Sequence, residues 1–319
     1  MQNHALSQNI IRQQDGWYAA VYGPFALKSA FQPIFRQIGH GKLRLEAFEG
    51  LIRPTKSGQS VSPYAFFSSV PPEDGGLVDA LCRQLHLLNM GQLDRPSATL
   101  FLNFDPRLFN DARTTATEVA RLLDLTSQIG LPPRQIVCEI TEKKAANRAA
   151  LVAVVEDFRQ CGFRIAVDDY GAEDSDIARI ELLKPNIVKF DGDWVLRYME
   201  HSPGVDLLRD SVQRFRANGI ATLFEGLEHP WQVDLAIELK VDLLQGYALA
   251  KPDTLLGKFN DLFPEQSALA QTAITPITPI TLNDPIAAPV MPEQPSTVAA
   301  APVPHRPALA RKTFGKRGL

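Results

Sequence analysis

An α/β fold, a TIM-like (β/α)8 barrel with an irregular, antiparallel first strand, is the class of structure that this sequence predicts. Three observations favour it: eight short apolar runs rich in β-branched and aromatic residues, helical patterns between them, and a first connection too short for a helix. One barrel domain of roughly 250 residues fits into a chain of 319 residues, 45% of them hydrophobic.

The eight predicted strands begin near residue 31 and end at residue 244. In chain order they cover residues 31–35, 44–48, 98–102, 135–140, 163–167, 186–190, 220–224 and 241–244. Apolar residues at helical spacing lie between them, for example Leu77, Leu81 and Leu85. The connection 37–42 has too few residues for a crossover helix, so the first two strands are predicted to be antiparallel neighbours.

Three segments are predicted from the change of composition along the chain. Residues 1–28 form an N-terminal lead segment, 29–266 the barrel and 267–319 a tail in which prolines recur without an amphipathic period. Such a tail is predicted to be disordered or polyproline-like. Its basic last residues leave two interpretations open, a solvated tail or a contact site for a protein partner.

Charge and cysteine usage restrict the classes of function. The net charge of -3 provides no general attraction for polyanions, so DNA or RNA polymers are not predicted partners, whereas a small nucleotide is compatible. The three cysteines are typical of reduced thiols in a cytoplasmic protein. No apolar run approaches the ~18 residues of a membrane span, and the N-terminus lacks the pattern of a secretory signal. A cytoplasmic location without a membrane span is therefore predicted.

Acidic or amide side chains recur at the ends of five of the predicted strands. They are Glu49, Asn103, Glu139, the pair Asp168 and Asp169, and Glu225. A carboxylate at the end of an apolar run is costly to bury unless a cation compensates it, and the parallel strands of a barrel end on one face. Divalent cations such as Mg²⁺ or Mn²⁺ take such oxygen ligands, and pairs of them support in-line attack on phosphodiesters. The pattern predicts a metal-dependent phosphodiesterase.

Eight short motifs occur in an order that resembles one family. They are Phe31-Gln32-Pro33-Ile34, Glu49-Gly50-Leu51-Ile52-Arg53, Asn103-Phe104-Asp105, Glu139-Ile140-Thr141-Glu142, Asp168-Asp169-Tyr170-Gly171, Lys189-Phe190-Asp191, Glu225-Gly226-Leu227-Glu228 and Gln245-Gly246-Tyr247. In this order they are similar to the EAL-domain family of cyclic di-GMP phosphodiesterases, over roughly residues 29–252. The resemblance implies hydrolysis of cyclic di-GMP to linear 5'-pGpG.

The resemblance also implies roles for individual residues. Two divalent ions, Mg²⁺ or Mn²⁺, would be held by Glu49, Asn103, Glu139, Asp168, Asp169 and Glu225. The catalytic step is assigned to Lys189, Glu49 and Glu225, with Lys189 orienting or deprotonating the attacking water. The substrate contacts are assigned to Gln32 near the nucleobase, Arg53 at a phosphate and Gln245 at a water or the substrate. Glu142 would steady the loop after the aspartate pair.

Two of these assignments depend on which way a strand residue faces. Glu46-Ala47-Phe48 resembles the Glu-Ala-Leu motif after which the family is named, but it lies three residues before the matching position of Glu49. Glu46 and Glu49 point to opposite faces of an alternating strand. Lys189 in isolation is more often an outward-facing strand lysine. If it faces the barrel mouth, nearby bound cations are expected to lower its pKa.

Departures from the family pattern leave alternatives open. Gly50 replaces the usual alanine, with little expected effect, and Asp105 replaces a serine, adding a carboxylate near the ligands. The loop 171–176 loses a glycine and an aromatic residue and gains acids, which puts the coupling to a homodimer in question.

The main alternative is a catalytically silent cyclic di-GMP receptor that signals through a protein partner. A third interpretation is another barrel enzyme with a carboxylate-bound Mg²⁺, such as an enolase-like one. It is disfavoured because such an enzyme would not require the motifs that begin at Glu49 and Gln245.

Overall fold

The computed structural model describes residues 8–105, 107, 112–140, 148–171 and 177–265. The predicted tail, Glu142 and residues 172–176 of the altered loop lie outside these residues. The described strands are β1 Ile10–Arg12, β2 Tyr18–Tyr22, β3 Phe25–Gln37, β4 Leu43–Lys56, β5 Gln59–Ser60, β6 Thr99–Phe104, β7 Ile136–Ile140, β8 Arg164–Tyr170, β9 Ile187–Phe190, β10 Ala221–Phe224 and β11 Leu243–Leu244. The described helices are α1 Pro63–Ser69, α2 Gly75–Gln92, α3 Ala112–Gln128, α4 Arg148–Gln160, α5 Ile177–Leu183, α6 Gly192–Met199, α7 Ser202–Ala217, α8 Pro230–Glu238 and α9 Lys258–Leu262.

Eight of these strands close into a barrel. The ring order is β3, β11, β10, β9, β8, β7, β6 and β4, and β4 pairs again with β3. β3 is antiparallel to both of its neighbours, β4 and β11, whereas the other neighbours in the ring are parallel. The predicted barrel with an antiparallel first strand is confirmed, since a tight turn and not a helix joins β3 to β4.

The centre of the barrel is an apolar layer to which each strand contributes one side chain. Its members are Ile34, Ala47, Phe101, Val137, Ala166, Ile187, Leu223 and Leu243, all at most 2% exposed. A second, larger cluster of buried apolar residues packs the outer faces of the strands against the helices. Because side chains on a strand alternate between faces, the residues two positions away from the apolar layer also point into the barrel.

The long strands β3 and β4 continue past the barrel into a second sheet. We call this sheet the antiparallel extension; it consists of β1, β2, β5, the first half of β3 and the second half of β4. One of its faces packs on α1 and α2 through Phe25, Leu27, Ile52, Phe66 and Leu81. β3 begins at Phe25, within the segment assigned above to the N-terminal lead, because residues of β2 and β3 pair and alternate into this small core.

The space beside Gly50 on β4 is filled by a histidine from α2. A methyl group at Gly50 would lie only 2.9 Å from Cγ of His86, and the His86 ring is held by a 2.9 Å contact between its Nδ1 and Oγ of Ser29. Burial, aided by Arg53 and Arg83, lowers the pKa of His86 to about 3, so the ring is neutral at pH 7. His86 therefore occupies the space that a larger side chain at position 50 would need.

Gly50→Ala is expected to lower the free energy of unfolding by about 1–3 kcal/mol, because the added methyl overpacks a rigid site. Urea unfolding measures the difference. Gly76→Ala on α2 is the matched control, since a methyl there meets open space, and it is expected to leave stability unchanged or slightly raised. Equal stability of the Gly50 variant and the parent protein would mean that His86 moves aside without cost.

Candidate active site

Directly above the apolar layer lies a polar layer, again with one side chain from each barrel strand. Each member is two positions from its apolar counterpart, toward the carboxyl end on the parallel strands and toward the amino end on β3. The eight members are Gln32, Glu49, Asn103, Glu139, Asp168, Lys189, Glu225 and Gln245. All of them are buried except Asn103, which is half-buried. Strand alternation and ring closure thus bring eight of the predicted site residues together.

Lys189 lies at the centre of the polar layer and is fully buried. Its Nζ is 2.7 Å from Oε1 of Glu225 and 3.2 Å from Oδ1 of Asp168. It also pairs with Glu139 and lies 3.9 Å from Oε2 of Glu49. This lysine therefore faces the barrel interior and not solvent.

The charges around Lys189 in the protein itself raise its pKa. Burial alone lowers the pKa of an ammonium group, but Asp168, Glu139, Glu225 and Glu49 outweigh that effect and raise it well above the usual value. The lowering of this pKa by bound cations stays a prediction. Without bound cations the Lys189 side chain is an ammonium ion that cannot accept a proton.

For Glu139, the effect of burial on the pKa outweighs the attraction of Lys189. Burial raises the pKa of its carboxyl group well above the usual value, and the neighbouring charges of Glu49 and Asp168 raise it further, whereas Lys189 opposes the rise. Four buried carboxylates thus share one ammonium group, and the layer has an excess of negative charge. An additional cation would stabilise it.

The donor set of the polar layer fits a hard divalent cation. Among the described residues, Oε2 of Glu139 and Oε1 of Gln245 are buried without a hydrogen-bond partner, and carboxylate and amide oxygens are the ligands that Mg²⁺ and Mn²⁺ prefer. In their present positions, no group of three His, Cys, Asp or Glu side chains in the described part of the chain has the geometry to hold a metal ion. The carboxylates turn toward Lys189 instead.

Glu49 is positioned by the amides on either side of it. Nε2 of Gln245 donates a 2.8 Å hydrogen bond to Oε2 of Glu49, and Nδ2 of Asn103 lies 3.5 Å from Oε1. Glu46, by contrast, lies on the other face of β4 and forms ion pairs with Arg36 and Arg44 at 2.8 and 3.0 Å. The two glutamates of the duplicated motif therefore occupy different environments.

A β-bulge presents the two adjacent aspartates. The pairing of β8 with β9 shifts between Val167 and Tyr170, and Asp169 has a left-handed backbone with φ of +60°, a conformation that aspartate tolerates better than most residues. The bulge interrupts the normal alternation, so Asp168 and Asp169 are not forced to opposite faces. Gly171, with φ of +97°, follows, and a Cβ there would lie 2.5 Å from the Trp194 ring.

Asp105, the carboxylate that replaces the family's serine, has its own cation. Its Oδ1 accepts a 2.9 Å hydrogen bond from Nε of Arg107, and its Oδ2 is 2.5 Å from Nη2 of the same residue. Within the described residues this pair compensates the added charge. Asp105 is consequently not grouped with the carboxylates around Lys189.

Arg53 stands above the polar layer on β4, four residues after Glu49 on the same face. The side chain is half-buried, and burial lowers its pKa below the usual value. Among the described residues its guanidinium forms no ion pair and donates one hydrogen bond, at 2.9 Å, to the carbonyl of Ile52. A planar group with several donors left over is suited to an anion with two oxygens.

Arg83 contacts the backbone of the site from a helix outside the barrel, and it was missed in the sequence analysis. It is buried on α2, where it pairs with Asp79 and, at 2.7 Å, with Glu118. Its Nη1 also donates a 3.3 Å hydrogen bond to the carbonyl of Asn103. The available signal was a lone arginine between Leu81 and Leu85, within an apolar helical pattern that was interpreted only as core.

Fold and site together define a class, an α/β barrel protein with a carboxylate-rich site at the carboxyl ends of its strands. The EAL domain family model matches residues 26–252. The chain belongs to the EAL domain family.

Relatives and solved structures extend this result. The chain is 29% identical over 136 residues to "Probable cyclic di-GMP phosphodiesterase PdeA" of Escherichia coli, covering 42% of this chain and 19% of that protein. It is 27% identical over 215 residues to the "Uncharacterized EAL-domain containing protein YkuI" of Bacillus subtilis, covering 67% and 50%. The crystal structure of YkuI with c-di-GMP and calcium is 25% identical, with a TM-score of 0.64 and coverages of 77% and 59%.

A standalone EAL protein from Vibrio cholerae in its c-di-GMP bound form shares the fold. It is 24% identical, with a TM-score of 0.61, and the match covers 72% of this chain and 94% of that one. The match spans only about a fifth of the first curated relatives, 19% and 22% of their lengths. Among the described residues, no helix is long and apolar enough to cross a membrane.

Proposed function

We propose that this protein hydrolyses cyclic di-GMP to linear 5'-pGpG with the aid of two divalent ions, Mg²⁺ or Mn²⁺. The observation that carries the proposal is the convergence of four buried carboxylates, from four strands, on Lys189. A structural core has no need for such an excess of buried charge, which is costly unless it is compensated. An enzyme that handles phosphate and metal ions does need it.

The metal ligands would be Glu49, Asn103, Glu139, Asp168, Asp169 and Glu225. Bound Mg²⁺ or Mn²⁺ would acidify a water molecule and neutralise charge on the phosphoryl oxygens. Because the carboxylates now face Lys189, they must turn partly away from it to bind the ions.

The other residues hold and orient the substrate. Lys189 would orient or deprotonate the attacking water, because bound cations would offset the carboxylate charges that raise its pKa in the protein alone. Gln245 keeps Glu49 in place through its 2.8 Å hydrogen bond, and Arg53 would bind a phosphate. Gln32, opposite Glu49 on β3, is assigned to the nucleobase side.

A cytoplasmic location, a homodimer and a protein partner bound through the proline-rich tail are part of the same proposal. The three cysteines are free, with Cys82 and Cys138 buried. Burial raises the pKa of Cys82 to about 12, so this thiol is unreactive. Two buried thiols outside any disulfide bond support the location.

The test is hydrolysis of cyclic di-GMP by the full chain, with Mg²⁺, with Mn²⁺ and with a chelator, and with linear pGpG as the readout. Product with either ion and none with the chelator is the expected result. Binding of cyclic di-GMP without product under any condition would replace the proposal by a receptor function. Neither binding nor product would overturn both.

A further inference from the structure

We propose that Lys28 is a substrate-binding residue that, together with Arg53, binds the phosphate group of the cyclic dinucleotide that is not attacked. The inference rests on the proposed function, because it names a contact of the same substrate. Lys28 belongs to none of the eight motifs that relate the chain to its family.

The register of the β3–β4 pair places Lys28 directly opposite Arg53. The pairing is regular from Phe25 as far as Ile34, and it sets Gln32 opposite Glu49 and Lys28 opposite Arg53. Both pairs are four residues apart on their strands, so they lie on the same face of the sheet. The face that lines the polar layer therefore continues outward to these two cations.

Burial along β3 shows the same alternation. Phe25 and Leu27 are buried against α1 and α2, whereas Ala26 and Lys28 are exposed. Between the cations and the polar layer, the same face carries Ala30 and Leu51, both buried. The antiparallel extension thus presents one core face and one open face, and Lys28 is on the open face above the barrel mouth.

Two like charges directly opposite each other on paired strands are unfavourable, because their Cβ atoms are only about 5 Å apart. Within the described residues, neither Lys28 nor Arg53 takes part in an ion pair that would compensate this repulsion. An anion bound between the two side chains would remove the repulsion and use donors that are otherwise free. The pair is thus arranged to receive an anion.

The distance from the polar layer indicates which anion the two cations bind. Four residues of strand separate Arg53 from Glu49, roughly 13 Å between backbone positions. A phosphate held among the carboxylates is therefore not the group that Lys28 meets. A cyclic dinucleotide carries a second phosphate, and two long, flexible cationic side chains on the open face suit it.

Lys28→Gln is expected to raise the KM for cyclic di-GMP about tenfold with little change in kcat, since it removes binding made equally in the ground and transition states. The affinity of the variant is also expected to depend less on salt, because one exposed charge pair is lost. Lys28→Arg, which keeps the charge, is expected to restore the KM of the parent protein to within about twofold.

Lys56→Gln is the matched control, with the same charge change on the same sheet. Lys56 lies opposite Phe25 and its Nζ is 5.6 Å from the centre of that ring, on the other face of the extension. It is expected to leave KM and salt dependence unchanged. Thermal unfolding checks that the variants fold: Lys28→Gln is expected to be at least as stable as the parent protein, because it removes the repulsion from Arg53, and Lys28→Arg and Lys56→Gln are expected to stay close to the parent protein, because both lysines are exposed.

Two measurements separate a failure of the proposed function from a failure of the role of Lys28. They are binding of cyclic di-GMP by calorimetry in Ca²⁺ and turnover of cyclic di-GMP in Mn²⁺. If the parent protein neither binds nor hydrolyses, the proposed function fails. If it binds and the Lys28→Gln variant binds equally well, or if the Lys56→Gln variant loses as much affinity, only the role of Lys28 fails. Weaker binding with an unchanged salt dependence would also overturn the phosphate contact.

Discussion

Lys189→Met is expected to abolish hydrolysis and to lower the free energy of unfolding of the metal-free protein by about 3–5 kcal/mol, the usual result of removing one partner from a buried ion pair. The substitution keeps most of the apolar volume but leaves Glu139, Asp168 and Glu225 without their common counter-ion. Denaturant unfolding in a chelator measures the loss of stability.

Added Mn²⁺ should then stabilise the Lys189→Met variant more than the parent protein. The reason is that a divalent ion supplies the positive charge that the buried carboxylates have lost, and a ligand that binds only the folded state stabilises it. Lys42→Met, in the exposed turn between β3 and β4, is the control and should change neither stability nor activity. Equal stability of the Lys189 variant and the parent protein in chelator would contradict the electrostatic account of the polar layer.

Glu49→Gln and Glu46→Gln make a matched pair, since both replace a carboxylate by an amide on the same strand. Glu49→Gln is expected to reduce kcat at least about 100-fold, because losing one anionic ligand removes a few kcal/mol of transition-state stabilisation, at 1.36 kcal/mol per tenfold. Glu46→Gln is expected to retain activity within about twofold. Its ion pairs with Arg36 and Arg44 are partly exposed and contribute little.

The readout is the rate of linear pGpG formation at saturating Mn²⁺ and at a series of lower concentrations. A Glu49 variant that regains full activity at high Mn²⁺ would indicate that Glu49 only tunes metal affinity. Equal losses in both variants would mean that the ion pairs of Glu46 with Arg36 and Arg44 are also needed for activity. Intact activity in the Glu49 variant together with loss in the Glu46 variant would assign the site to the opposite face of the strand.

Much of the fold follows from local patterns. The eight apolar runs are the eight barrel strands, and the short connection after β3 does force an antiparallel pair. The last strand is only two residues long, Leu243–Leu244, shorter than the predicted run. The antiparallel extension was not predicted, because β1, β2 and β5 are short and half-exposed, and their pairing depends on the length of β3 and β4.

The site divides in the same way. The choice of Glu49 over Glu46 was accessible from the sequence through the register of the family motif, whereas strand alternation showed only that the two residues face opposite sides. The direction of Lys189 was not, because the same run of apolar residues is compatible with either face. The bulge at Asp168 and Asp169, the contact of Arg83 with Asn103 and the filling of Gly50 by His86 also depend on neighbours distant in the chain.

By itself, the sequence determined the kind of side chain that ends each strand and the spacing of two residues between the apolar and polar positions. Both are properties of a few consecutive residues. Only the tertiary structure decided that these ends meet: closure of the ring brings Gln245 within hydrogen-bonding distance of Glu49, 196 residues away, and surrounds Lys189 with carboxylates from four other strands. The pKa values of Lys189 and Glu139 follow from that closure, because charges interact strongly only when burial and proximity act together.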